Sequence, residues 1–121
     1  MEPGKTVSQL RKGVLEYCVL SLLRDRPRYG TELVAELEAT GALATSQGTV
    51  YPLLARLRRE ELVTTDWRES TAGPPRRYYA LTETGREALT EFTGIWTEFT
   101  DAVNRIIAPN NAHANPARRE Q

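Results

Sequence analysis

Residues that carry covalent or metal chemistry are scarce in this 121-residue chain, which has one cysteine, Cys18, and one histidine, His113. A lone cysteine excludes an intrachain disulfide and a thiolate zinc cluster. Its place inside an apolar run reads as a buried structural thiol rather than a nucleophile. His113 falls in a polar tail, Ser46 has no base in view, and there is neither a phosphate-binding glycine loop nor a metal-ligand spacing. Enzymatic activity is therefore not expected, and no cofactor is implied. No apolar run approaches the roughly 20 residues of a membrane span, and "MEPGKTVSQLRKG" lacks the apolar centre of a signal peptide, so a cytoplasmic location with no membrane partner is expected. Net charge is also missing, with 16 basic against 16 acidic side chains, which counts against a nucleic-acid binder until the distribution is considered. Residues 1–81 carry 12 basic and 10 acidic groups, and residues 82–121 carry 4 and 6. Glu32, Glu36 and Glu38 lie apart from the basic groups at 24–28, 56–59 and 76–77, so a local basic surface is possible.

What is present is mostly helical pattern. Leu10, Val14, Cys18 and Leu22 recur every four residues with Leu15 and Val19 beside them, predicting a first helix over 8–24. Leu20 and Leu23 widen its apolar face, and Pro27 ends it. A short second helix is expected from Gly30 to Thr40, with Leu33, Val34 and Leu37 as its stripe and Gly41 closing it. The third helix is "SQGTVYPLLARLRREELV", residues 46–63. Its first turn is poor and polar, holding Gly48, and Pro52 follows. Ser46 is a plausible N-cap, which would put Pro52 beyond the first turn. Thr49 as the cap would put Pro52 inside that turn, where its missing N–H costs little.

Two β-prone runs, "LVTTDWRES" and "RRYYALT", flank "TAGPP" and predict a hairpin with Pro74 and Pro75 at its tip. Of the alternating aromatics, one of Tyr78 and Tyr79 is expected to pack inward, and Trp67 is read as core. From Thr82 the chain is helical again, with Thr84 and Glu87 at capping-box spacing. The tail from Pro109 has no periodicity and is expected to be disordered.

Three helices followed by a hairpin is the order of a winged helix-turn-helix, a mainly α fold with a small β-hairpin. Domain limits of 8–81 for the winged domain, 82–108 for a C-terminal dimerisation helix and 109–121 for the tail follow. In such a fold the third helix enters the major groove by its N-terminal residues, which explains a slim, polar first turn. Gly48 allows close backbone approach. Ser46, Gln47, Thr49 and Tyr51 offer hydrogen bonds to bases or phosphates, and free N–H groups suit a phosphate. Arg56 joins them as a candidate contact. Arg76 and Arg77 beside the hairpin tip point to opposite faces and are candidates for phosphate or minor-groove contact.

"YGTELVAEL", "SQGTVYPLLARLRREELV" and "GPPRRYYALTETGREAL", in this order and spacing, resemble the PadR family of bacterial transcriptional regulators, over residues from about 11 to 107. The resemblance implies a winged-helix homodimer that binds double-stranded DNA at a near-palindromic operator, usually as a repressor. It points to Gln47, Thr49, Tyr51 and Pro52 on the recognition helix and to Arg76 and Arg77 at the wing. It adds Tyr29 and Gly30, which open the second helix as the family's Tyr/His-Gly motif. Gln47 departs from the proline often found there. The short C-terminal region is similar to that of small members with a single C-terminal helix.

That last helix carries Leu89, Phe92, Trp96, Phe99, Val103 and Ile106 at spacings of 3, 4, 3, 4 and 3, a coiled-coil seam of roughly 27 Å at the usual rise. Six apolar residues, three of them aromatic, exceed what one small core can cover, so a two-fold homodimer is expected. Some small members of the family bind planar, hydrophobic compounds at such an interface, which makes Phe92, Trp96 and Phe99 candidate contacts for a small aromatic effector. The rival reading is a winged helix that serves only as a protein-interaction module.

Overall fold

The computed structural model describes residues 3–108. The tail expected to be disordered lies outside the described residues. Four α-helices and three strands follow in the order α1 (Pro3–Leu22), β1 (Arg28–Tyr29), α2 (Gly30–Ala39), α3 (Gln47–Arg59), β2 (Val63–Ser70), β3 (Gly73–Leu81) and α4 (Glu83–Ile107). The strands form one antiparallel sheet in the order β1-β3-β2.

The core takes the predicted stripes of α2 and α3, but from α1 it takes the flanking Leu15, Val19, Leu20 and Leu23 rather than the four-residue series Leu10, Val14, Cys18 and Leu22, of which none is fully buried. Leu15, Val19, Leu20 and Leu23 meet Leu33 and Leu37 of α2 and Val50, Leu54 and Leu57 of α3, with Val63, Tyr79 and Leu89 completing it. The helix α1 begins at Pro3 rather than residue 8, because residues 3–7 hold too few apolar groups to show a period. Its early Leu10 is 69 % exposed. The second helix ends as expected, with Gly41 in the left-handed region at φ 78°. The third ends in a tight turn that puts Glu61 in that region, φ 62°. The N–H of Leu62 donates back to the carbonyl of Leu57 at 2.9 Å and that of Glu61 to Arg58 at 3.0 Å, which satisfies carbonyls at the helix end.

One short strand adds to the expected elements, and two expectations are corrected. Strand β1 pairs Arg28 with Tyr79 and Tyr29 with Tyr78; two residues are too few to leave an alternating pattern. Pro74 and Pro75 lie inside β3, beside the register shift between Arg68 and Ser70, while residues 71–72 form the turn. The cap of α4 is Thr82, not Thr84: its hydroxyl accepts from the N–H of Gly85 at 3.0 Å and donates to the carbonyl of Glu61 at 2.6 Å. That second bond fixes the cap position by tertiary contact.

The chain divides into two compact units between Leu89 and Thr90, within α4. In the second, the rings of Phe92 and Trp96 stack at 5.7 Å and 27°, and those of Trp96 and Phe99 at 6.5 Å and 23°. Ile95, Trp96, Phe99, Ile106 and Ile107 are all exposed. Leu89, read from its spacing as part of a dimer seam, is instead buried in the core of the first unit, because the seam's period continues the core stripe of the same helix. No described helix is long and apolar enough to cross a membrane.

Candidate nucleic-acid interface

Ser46 is the N-cap of α3, at φ −95° and ψ 165°, and its side chain makes no capping bond. Its carbonyl accepts from Thr49 at 3.0 Å and Val50 at 3.1 Å. The N–H groups of Gln47 and Gly48 precede those bonds and are the orphan donors of the helix start. Ser46, Gln47, Gly48, Thr49, Tyr51 and Pro52 are exposed. Pro52 is therefore the sixth residue of the helix, and it cannot donate to the carbonyl of Gly48. A Cβ on Gly48 would meet only the Ser46 hydroxyl, at 3.5 Å, so nothing within the chain requires glycine there.

Tyr51 joins α3 to α2. Its ring lies so close over Gly30 that any Cβ there would overlap it. Burial, and secondarily Tyr79, push the Tyr51 hydroxyl above the ordinary tyrosine value. Gly30 is itself buried. Lacking a Cβ, it admits the Tyr51 ring. Tyr29 is half-buried, edge-on to Tyr78 at 5.4 Å and beneath the guanidinium of Arg76 at 4.3 Å.

Arg56 is engaged within the chain. It donates to Glu16 of α1 at 2.9 Å and to Glu60 at 3.2 Å, so its charge is already met by carboxylates and it braces α3 against α1. Its neighbours behave differently. Among the described residues, Arg58 and Arg59 have no ion-pair partner. They line a cleft of about 460 Å³ with Tyr51, Ala55, Arg77 and Tyr79. A second cavity, of about 590 Å³, shares Tyr51, Arg77 and Tyr79 and adds Tyr29, Gly30, Thr31, Trp67 and Arg76. Among the described residues, four arginines and no carboxylate line these two hollows, which is how a chain of zero net charge presents a basic face. Arg58 and Arg59 were missed as site residues, although Tyr51, Ala55, Arg58 and Arg59 share one stripe of the helix by the 4- and 7- to 8-residue spacing. Arg76 is exposed and Arg77 half-buried, on opposite faces of β3 as alternation requires. Trp67, read as core, is 64 % exposed. It shares the face of buried Tyr79 but lies about 13 Å along the strand from buried Val63 at the usual rise.

The helix order, the hairpin and the polar opening of α3 are those of a winged helix-turn-helix, and residues 19–91 match the transcriptional regulator PadR-like family. The chain belongs to this family. Its members are regulators of transcription, not enzymes. A PadR-like transcription factor from Bacteroides fragilis is 43% identical, with 84% of this chain and 98% of that one covered and a TM-score of 0.69. A PadR-like transcriptional regulator from Bacillus cereus is 38% identical, with 83% and 97% covered and a TM-score of 0.76. PadR of Bacillus subtilis, solved in complex with operator DNA, is 23% identical over 66% of this chain and 46% of its own, with a TM-score of 0.61; at that identity it shares the fold.

Proposed function

We propose that this family member binds operator DNA as a homodimer and regulates transcription in the cytoplasm, as a repressor released by a small aromatic or hydrophobic effector. The observation that carries the DNA reading is the uncapped, polar start of α3 on the same helix as Arg58 and Arg59, which line with Arg77 a cleft that adjoins a hollow holding Arg76. Base contact falls to Gln47 and Thr49, phosphate contact to Ser46, Tyr51, Arg58, Arg59, Arg76 and Arg77. PadR of Bacillus subtilis, which shares the fold, was solved in complex with operator DNA, which supports DNA as the partner. Such unpaired charge favours nucleic acid over a protein-interaction module.

The dimer is supported by the exposed apolar residues of α4, Ile95, Trp96, Phe99, Ile106 and Ile107. Two-fold pairing would hold two recognition helices about 34 Å apart, as adjacent major grooves on one side of a duplex demand. The stacked rings of Phe92, Trp96 and Phe99 offer aromatic surface on which a planar effector could continue the stack, and it would act by changing that separation.

The test is fluorescence anisotropy with duplexes tiled across the DNA upstream of the protein's own gene, against scrambled duplexes at fixed salt. Selective binding of one near-palindromic duplex is expected, with Arg58→Ala and Arg59→Ala each lowering the salt slope by about one unit. Equal, weak binding to every duplex would refute operator recognition.

A further inference from the structure

Three arginines of the wing each lie over an aromatic ring, and one of them holds an unsatisfied donor. Arg68 covers Tyr78 at 4.7 Å and Arg76 covers Tyr29 at 4.3 Å. Tyr29 and Tyr78 are paired across β1 and β3, so both of these stacks belong to one face of the sheet. On the other face Arg77 covers the ring of Trp67 at 5.1 Å, the two residues being direct partners across β2 and β3. The Nε of Arg77 is buried without a hydrogen-bond partner. Trp67 is largely exposed, so the ring is not there to fill the core.

We propose that Trp67 is a positioning residue for DNA binding: it holds the Arg77 side chain in the cleft facing α3, with the terminal Nη groups of the guanidinium as the donors for a backbone phosphate. The inference rests on the DNA reading above and adds a residue which that reading leaves without a role. A cation stacked on a ring uses its face, while the N–H groups in its plane still point outward. A long side chain held this way before DNA arrives loses less rotamer freedom when it grips a phosphate. The cleft fits one phosphate run: Arg77 lines both hollows, with Arg58 and Arg59 across the narrower one and Arg76 and Trp67 in the wider. A cross-strand pair is also a rigid mount, because opposite residues in an antiparallel ladder are held side by side.

The experiment compares the wild type, Arg77→Ala, Trp67→Ala, Trp67→Phe and the Trp67→Ala/Arg77→Ala double variant for affinity to the selected duplex as salt is raised. Arg77→Ala and Trp67→Ala should each lower the log–log slope by about one unit, so that a fourfold rise in salt separates each from the wild type by about 3.5-fold. The double variant should match Arg77→Ala, because both changes remove one contact. Trp67→Phe should keep the wild-type slope. In the free protein, the Arg77 Nε–H resonance should carry a ring-current shift in the wild type that Trp67→Ala abolishes. A Trp67→Ala variant with wild-type slope or an unmoved resonance would overturn the inference and leave the DNA reading standing. A wild type that binds no duplex would overturn both.

Discussion

Replacing Gly48 by alanine separates the demands of folding from those of binding. Glycine inside a helix destabilises it by roughly 0.5–1 kcal/mol relative to alanine, and the added methyl would make only an ordinary 3.5 Å contact with the Ser46 hydroxyl. Position 48 is the second residue of α3, where part of the helical penalty is absent, so the lower half of that range applies. A gain of about 0.5 kcal/mol corresponds to a rise of roughly 2–4 °C in Tm for a domain of this size. Binding should move the other way. If the first turn of α3 lies against base edges or sugar-phosphate, a methyl there pushes the backbone outward and weakens neighbouring contacts. A loss on the scale of one specific contact, about 1–3 kcal/mol, is roughly 5- to 150-fold in Kd. Thermal melting by circular dichroism and anisotropy with the selected duplex read the two effects on one preparation. A variant that melts lower would show that the fold needs this glycine, for instance to ease the Pro52 ring past the Gly48 carbonyl. A variant that melts higher and binds as well as the wild type would remove α3's first turn from the DNA surface.

Gly30→Ala should displace the Tyr51 ring and destabilise the domain by about 1–3 kcal/mol, as overpacking does; a wild-type chemical-denaturation midpoint would contradict the close approach. Arg56→Ala should lower stability by up to about 1 kcal/mol through its partly exposed ion pairs while leaving the salt slope of DNA binding unchanged, since its charge is spent on Glu16 and Glu60. A slope lowered by one unit would return Arg56 to the phosphate contacts. Phe99→Glu should dissociate the proposed dimer in sedimentation, because the two apolar side chains it would bury, worth about 1.5–3 kcal/mol each, are exchanged for two like charges. A tight dimer after this change would place the seam elsewhere.

The helical stripes were legible because each needs only a local period. Leu33 and Leu37, or Leu54 and Leu57, point inward wherever the partner helix lies. The hairpin was legible from its turn chemistry and β-branched runs. What was not legible depended on distant pairing. Two-residue β1 exists because β3 lies beside it. Arg56 differs from Arg58 in having Glu60 one turn on, which the sequence shows, and in facing Glu16, forty residues away, which it does not. Leu89 continues the spacing of Phe92 and Trp96, yet the first unit claims it. Trp67 obeys alternation, but alternation states a face and not how far along the strand the core extends. Gly30 carried a family motif whose internal reason, the Tyr51 ring, appears only when α2 and α3 are side by side.

The central claim, that two copies of this chain present paired recognition helices to one operator, is tested most directly by hydroxyl-radical footprinting of the selected duplex at micromolar protein. Two symmetric protected segments centred about 10–10.5 base pairs apart, absent with Phe99→Glu, are predicted. A single protected segment, or a pattern indifferent to Phe99→Glu, would contradict the account.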